Sequence, residues 1–157
     1  MNKPYTVTIR LKTFTVHDSA HPEGKNYPHG APLRASQDIE RLARAVYAEL
    51  DADKEHFTVF CLNNKNRLDG FKVVSTGTIT ASMVHPSAVF ATATELRAVS
   101  LIFVHNHPSG DPAPSPEDLK ITQKLKQAGE IMGVQVLDHV ILGGDGRYFS
   151  FSDNGSL

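Results

Sequence analysis

Hydrophobic and polar positions alternate along this chain with two different periods. Residues 5–11 place an apolar side chain at every second position, which is typical of a strand with one buried face. Residues 18–34 follow with three prolines, two glycines and little apolar content, a composition that favours a loop or linker. His21 and His29 lie in this stretch without a partner at metal-ligand spacing, so we expect both to face solvent. We therefore interpret residues 1–35 as an N-terminal strand and linker.

Apolar residues spaced three and four apart predict three helices in the rest of the chain. The first follows Ser36, which we expect to be its N-cap. The second starts near Pro86, because proline favours the first helical position, and ends at about Ala98. The third is expected to have Ser115 as its N-cap and Pro116 at its first position.

Short apolar runs between these helices predict the strands of a sheet. Residues 56–62 and 68–75 form a predicted hairpin, because the segment between them is rich in the turn-forming residue asparagine. Further strands are predicted over residues 101–104, 134–142 and 147–151. Helices that alternate with strands of mixed direction indicate an α/β fold. We expect a three-layer α-β-α sandwich with a mixed sheet over residues 36–157.

Composition narrows the class of protein further. The chain has 157 residues, of which 40% are hydrophobic and 21% charged, which suits a single globular core. No stretch approaches the roughly 18 apolar residues of a membrane helix, and the N-terminus has no apolar signal core. We therefore expect a cytoplasmic protein without membrane contact. The single cysteine, Cys61, excludes an intramolecular disulfide and lies in an apolar strand, where we expect an inert thiol.

The charge balance gives no support to nucleic-acid binding. Sixteen lysines and arginines stand against seventeen aspartates and glutamates. A chain without excess positive charge has no overall field that attracts phosphates.

A short motif carries the chemistry of this sequence. His105, His107, Ser115 and Asp118 follow the pattern His-x-His-x7-Ser-x2-Asp. Alternation along a strand points the two histidines to the same side, and the proline-rich segment 111–116 returns the chain to a helix N-terminus that holds Asp118. Two imidazoles and one carboxylate, with a fourth position left to water, are typical of a catalytic zinc site.

Each part of this motif also has a purely structural explanation. The pair Ser115 and Asp118 matches a helix capping box, and His-x-His at a strand end is often a pair of hydrogen-bonded polar side chains. The identity of the metal is also open. Two imidazole ligands favour Zn²⁺ over magnesium, while Fe²⁺ remains an alternative because two histidines and one carboxylate also suit non-haem iron.

Two segments resemble a known family: residues 105–118, HNHPSGDPAPSPED, and residues 137–141, LDHVI. They resemble the bacterial RadC family, and the resemblance extends from about residue 36 to the C-terminus. RadC proteins belong to the JAB/MPN metalloenzyme group, which implies a cytidine-deaminase-like fold and a JAMM motif. The resemblance implies that His105, His107 and Asp118 are zinc ligands. It also implies that Ser115 supports the bound water or the oxyanion of the reaction.

The JAMM motif also contains an upstream glutamate that acts as general base. Glu55, directly before the strand predicted over residues 56–62, resembles the family's Glu-x-Phe segment, whereas by sequence alone it only ends an acidic patch. Glu95 is the alternative, although its helical position predicts exposure to solvent. Asp138 and His139 also resemble a family segment, and their place within a strand predicts a supporting hydrogen bond to a ligand.

The resemblance implies a zinc metallohydrolase, specifically a peptidase or isopeptidase that cleaves amide bonds in a peptide or protein. Two alternatives remain open. The first is a DNA-acting or DNA-associated protein, because the RadC name carries a DNA-repair label. The balanced charge and the lack of a helix-hairpin-helix glycine pattern weaken this alternative. The other is an inactive metal-binding interaction module, as in MPN domains that lack the full motif.

Overall fold

The computed structural model describes residues 32–80 and 83–157. The strand predicted over residues 5–11 lies outside the described residues, as do His21 and His29. The division of the chain at residues 35 and 36 into an extension and a domain therefore stays a prediction.

The described residues contain three helices, close to the predicted positions. They are α1 (Ser36–Tyr47), α2 (Pro86–Glu95) and α3 (Pro116–Met132). As predicted, Ser115 is the N-cap of α3 and Pro116 begins it. The helix ends at Gly133, whose φ of 68° is left-handed and suits glycine. None of the helices in the described part of the chain is both long and apolar enough to cross a membrane.

Two helix ends differ from the prediction. Ser36 is not the N-cap of α1 but its first helical residue, and Ala35 is the N-cap. The Ser36 hydroxyl instead bonds the Tyr148 hydroxyl at 2.9 Å, so a distant contact takes the group that the capping prediction relied on. The second helix ends at Glu95, earlier than the predicted Ala98, because Arg97 adopts a left-handed φ of 51°.

Five strands of the described residues form one mixed sheet, close to the positions predicted for them. They are β1 (His56–Leu62), β2 (Leu68–Thr76), β3 (Ser100–Asn106), β4 (Gln135–Leu142) and β5 (Tyr148–Ser150). Their order across the sheet is β2-β1-β3-β4-β5. Strand β3 pairs with β4 in parallel, and the other neighbouring strands are antiparallel. The central strands β1 and β3 are buried on both faces, which explains their continuous apolar sequences.

Two hydrophobic clusters cover the two faces of the sheet and confirm the predicted three layers. Side chains of α2 and α3 pack on one face, against Phe57 of β1 and Phe103 of β3. Side chains of α1 pack on the other face, against Phe60 of β1 and Val104 of β3. The odd-numbered residues of β3 therefore face α2 and α3, and this parity decides where the histidines after Phe103 point.

Candidate metal centre

The end of β3 brings two histidines together. His105 is fully buried on the face covered by α2 and α3, where its ring stacks on Phe57 with centroids 6.0 Å apart. His107 follows just beyond the strand and is partly exposed. The Nε2 atoms of the two histidines are 3.0 Å apart. The two imidazoles therefore lie on the same side of the chain and meet through their Nε2 atoms, as the predicted alternation requires.

Asp118 completes the group from the first turn of α3. Its Oδ1 atom is 3.1 Å from Nε2 of His105, and its Oδ2 atom is 3.3 Å from Nε2 of His107. One ligand atom from each of the three residues lies within 4.8 Å of the others. The structure therefore brings together the three ligands that the motif predicted, in a space suited to one ion.

A chain of hydrogen bonds determines the tautomer of His105. Its Nδ1 atom is 2.8 Å from Nε2 of His139, whose Nδ1 is 2.6 Å from the Thr122 hydroxyl. Thr122 donates its one hydroxyl hydrogen to the carbonyl oxygen of Asp118 at 2.6 Å. Nδ1 of His139 must therefore donate to Thr122, and Nδ1 of His105 must donate to His139. This leaves a lone pair on Nε2 of His105, facing Asp118.

The second histidine is oriented by the loop that follows it. Nδ1 of His107 lies 2.8 Å from the carbonyl oxygen of Asp111, which can only accept a hydrogen bond. The neutral His107 ring therefore also has its lone pair on Nε2. Metal-bound histidines commonly donate their other ring N–H to a carbonyl or a second polar group in this way.

Ser115 holds the carboxylate of Asp118. Its backbone N–H and its hydroxyl each donate to Oδ2 of Asp118 at 2.7 Å, and the Asp118 N–H donates back to the hydroxyl at 3.2 Å. The capping box and the predicted metal site are therefore compatible, because the capping box orients the carboxylate of the predicted ligand Asp118. The predicted role of Ser115 at a reaction oxyanion is not tested by this arrangement and stays a prediction.

The donor set fits a cation. With the tautomers above, two imidazole lone pairs and a carboxylate face one another, and no hydrogen lies between them to form a hydrogen bond. A metal ion at this place would accept an electron pair from each of the three groups. A proton on Nε2 of His107 would form a hydrogen bond with Asp118 but would leave the lone pair of His105 without a partner. Nitrogen and oxygen donors in these proportions suit zinc, and iron as the second choice.

Burial and charge shift the pKa values of the three residues in different directions. Burial raises the pKa of Asp118, but hydrogen bonds that the protonated forms of His105 and His107 donate, together with the charge of His105, outweigh it and hold the pKa well below its usual range. Burial lowers the pKa of His105 more than Asp118 raises it. The pKa of His107 is raised, chiefly by the hydrogen bond that its protonated ring donates to Asp118. An ionised carboxylate and a neutral buried imidazole are the forms that bind a metal.

Glu55 lies half-buried directly before β1. Its Oε2 atom accepts a hydrogen bond from the Ile79 N–H at 2.7 Å. After the larger effects of burial and of Asp118, the charge of Glu55 also raises the pKa of both His105 and His107, as expected of a nearby carboxylate. The alternative candidate, Glu95, is exposed in the last turn of α2.

The two residues with a predicted supporting role differ in what they contact. His139 contacts His105 directly, as described above. Asp138 instead accepts hydrogen bonds from the Ser150 hydroxyl at 2.7 Å and from the backbone N–H of Ser152 at 3.0 Å, which anchors the C-terminal turn. Sequence reasoning missed Thr122. Its position one helical turn after Asp118 was the available signal, since residues four apart share a helix face.

Comparison with known proteins assigns the family. A family model described as "RadC-like JAB domain" matches residues 21–156 of the chain. The chain belongs to the RadC-like JAB family. The resemblance drawn from two short segments is therefore confirmed over most of the sequence.

Similar bacterial proteins bear the name UPF0758 protein. One from Trichlorobacter lovleyi is 53% identical over 107 residues, covering 68% of this chain and 46% of the relative. One from Syntrophotalea carbinolica is 52% identical over 131 residues, covering 80% of this chain and 57% of the relative. A third, from Desulfitobacterium hafniense, is 36% identical over 166 residues, covering 94% of this chain and 73% of the relative. The RadC-like chain thus spans about half the length of the first two relatives.

Proposed function

We propose that this RadC-like domain is a zinc-dependent metallohydrolase that cleaves amide bonds in a peptide or protein. The observation that carries the proposal is the convergence of His105, His107 and Asp118 within 4.8 Å, with both imidazole lone pairs directed at the carboxylate. Within residues 32–80 and 83–157 the group has three protein donors, a number typical of catalytic rather than structural zinc sites.

The remaining residues have roles that follow from their positions. Bound zinc would supply a Lewis acid that lowers the pKa of water toward about 7. Glu55 would accept the proton of the attacking water and pass it to the nitrogen that leaves. Ser115 would donate to the developing oxyanion, an interaction worth about 3 kcal/mol in other hydrolases. Its hydroxyl would have to turn from Asp118 to do so.

The choice of an amide bond rests on the family. The resemblance to the JAB/MPN group, which includes peptidases and isopeptidases, supports a peptide or protein substrate. Since the chain spans about half of its first relatives, this proposal concerns the domain and not a longer protein.

The first test separates metal binding from hydrolysis. We expect the purified protein to bind zinc at near-stoichiometric occupancy, measured by elemental analysis after loading and dialysis. Glu55→Gln should retain the zinc and lose activity by about 10² to 10⁴-fold, because it removes a general base but no proposed ligand. Activity is measured on a panel of peptides and isopeptide-linked proteins, with Glu95→Gln as the matched control.

Three outcomes would contradict the proposal. If the protein holds neither zinc nor another transition metal after loading, the proposed metal-dependent mechanism is wrong. Full activity in Glu55→Gln would show that another group takes the proton. Loss of the metal itself in Glu55→Gln would make Glu55 a ligand and not a base.

A further inference from the structure

Asn106 lies between the two histidines and points away from them, toward the segment that carries Glu55. Its Oδ1 atom accepts a hydrogen bond from the His56 N–H at 2.8 Å. Its Nδ2 atom donates to the carbonyl oxygen of Lys54 at 2.9 Å. One amide side chain therefore binds the main chain on both sides of Glu55.

These two bonds continue the connection between β1 and β3 past the end of the paired strands. The last backbone pair between the strands joins Phe57 to His105. Beyond it, the Asn106 side chain reaches the peptide groups of residues 54 and 56. The amide offers the acceptor and the donor that these groups require, whereas an ionised carboxylate of the same shape has two acceptors and no donor.

Two further contacts hold Glu55 itself. Its carbonyl oxygen accepts from the Gly77 N–H at 2.9 Å, and its Oε2 atom accepts from the Ile79 N–H at 2.7 Å. The backbone of Glu55 is thus fixed from the β3 side by Asn106 and from the β2 side by Gly77. The position of its carboxylate relative to the histidines depends on both attachments.

We propose that Asn106 is a positioning residue that fixes Glu55 relative to the metal ligands. The middle residue of the His-x-His motif then connects the metal-binding strand with the general base. The inference rests on the proposed function, in which Glu55 acts on water at the metal. Displacement of a reacting group by about 1 Å can cost on the order of 100-fold in rate, so a small shift of Glu55 is measurable.

The test uses the full chain loaded with Co²⁺ in place of zinc, because the visible absorption of Co²⁺ reports the environment of its open coordination position. Asn106→Asp keeps the acceptor for His56 but loses the donor to Lys54. We expect it to change the Co²⁺ spectrum while zinc stoichiometry and zinc affinity stay at the wild-type level. Asn106→Ala, which removes both bonds, should give a larger change in the same direction.

A double variant separates positioning from general stabilisation. Glu55→Gln alone should change the spectrum, and Asn106→Asp added to it should cause no further change, because the group that Asn106 positions is already altered. On any peptide substrate that the protein cleaves, Asn106→Asp should lower kcat on the order of 10- to 100-fold, again without further loss in the Glu55→Gln background.

Asn63 provides the matched control. Its Oδ1 atom accepts from the backbone N–H groups of Lys65 and Arg67, at 2.9 Å and 3.2 Å, at the opposite end of β1. Asn63→Ala should lower the melting temperature without changing the Co²⁺ spectrum. If Asn106→Ala fails to fold, the isosteric Asn106→Asp still provides the comparison.

The outcomes distinguish this inference from the proposed function. If Glu55→Gln changes the spectrum and Asn106→Asp does not, or if the two changes simply add, the positioning role is wrong and the function stands. If Glu55→Gln keeps its metal and has a wild-type spectrum and activity, the proposed base is wrong and the inference is overturned with it.

Discussion

A single hydroxyl hydrogen decides which nitrogen of His105 is available to a metal. Thr122 donates that hydrogen to the carbonyl oxygen of Asp118, so it can only accept from His139. Burial and, to a smaller extent, the neighbouring His105 lower the pKa of His139 well below its usual range, so the ring is neutral and has one donor and one acceptor. The protonation pattern of a proposed metal ligand is thereby set by a threonine two side chains away.

Replacement of Thr122 by valine should weaken metal binding. Valine has the same shape but no hydroxyl, so Nδ1 of His139 loses its acceptor and the tautomer of His105 is no longer selected. We expect zinc affinity to fall on the order of 10- to 100-fold, measured by competition with a chromophoric chelator. Thr122→Ser, which retains the hydroxyl, should bind zinc as the wild type does. Equal affinity in the valine and serine variants would show that the chain of hydrogen bonds does not set the tautomer.

At the scale of elements, β1 has the most protected environment among the described strands. All seven of its residues are buried, between β2 and β3 and beneath helices on both faces. Its cysteine, Cys61, is fully buried, and burial together with the charge of Asp69 raises the pKa of the thiol to about 12. Because the thiolate is the reactive form, this environment suppresses its chemistry.

Cys61 should therefore not react with a thiol-specific chromogenic disulfide at mildly alkaline pH. The raised pKa leaves almost no thiolate at mildly alkaline pH, and burial blocks access by the reagent. In concentrated guanidinium chloride the same protein should react fully, which controls for an oxidised thiol. Rapid stoichiometric reaction of the native protein would show that β1 opens on the timescale of the assay.

Elements whose signals are local were predictable from sequence, and contacts between distant elements were not. The Ser115 capping box, the proline at the start of α3 and the two-residue alternation of the histidines all lie within a few residues, and the structure has each of them. Ser36 was assigned wrongly because its hydroxyl bonds Tyr148, which is 112 residues away. The Thr122–His139–His105 chain joins α3, β4 and β3, and no periodicity in the sequence reports such contacts.

At the scale of the whole molecule, the proposed metal joins two layers of the sandwich. His105 lies at the end of the central strand β3, while Asp118 begins α3 on the face of the sheet. An ion bound to both would connect the sheet with a helix that packs on it. Any ligand that binds the folded state and not the unfolded state stabilises the fold by mass action.

Addition of zinc to the metal-free protein should raise its melting temperature. At a free zinc concentration about 100 times Kd, the gain is about 2.7 kcal/mol, which for a domain of this size corresponds to roughly 5 to 10 °C. Differential scanning calorimetry measures the shift, and chelation should reverse it. Asp118→Ala should show no shift. Zinc that binds stoichiometrically without changing the melting temperature would mean that it binds the unfolded chain as tightly as the folded one. An equal rise in the Asp118→Ala variant would mean that zinc binds elsewhere.

The three proposed ligands lie in one short stretch, residues 105–118, whereas Glu55 comes from another part of the chain. Metal binding and proton transfer can therefore be lost independently during evolution. In the proposed mechanism, a relative that keeps the stretch but has another residue in place of Glu55 would bind the metal and lack the general base. Genome surveys that search for the histidine motif alone would count such proteins as enzymes, so the residue before β1 has to be included in the search pattern.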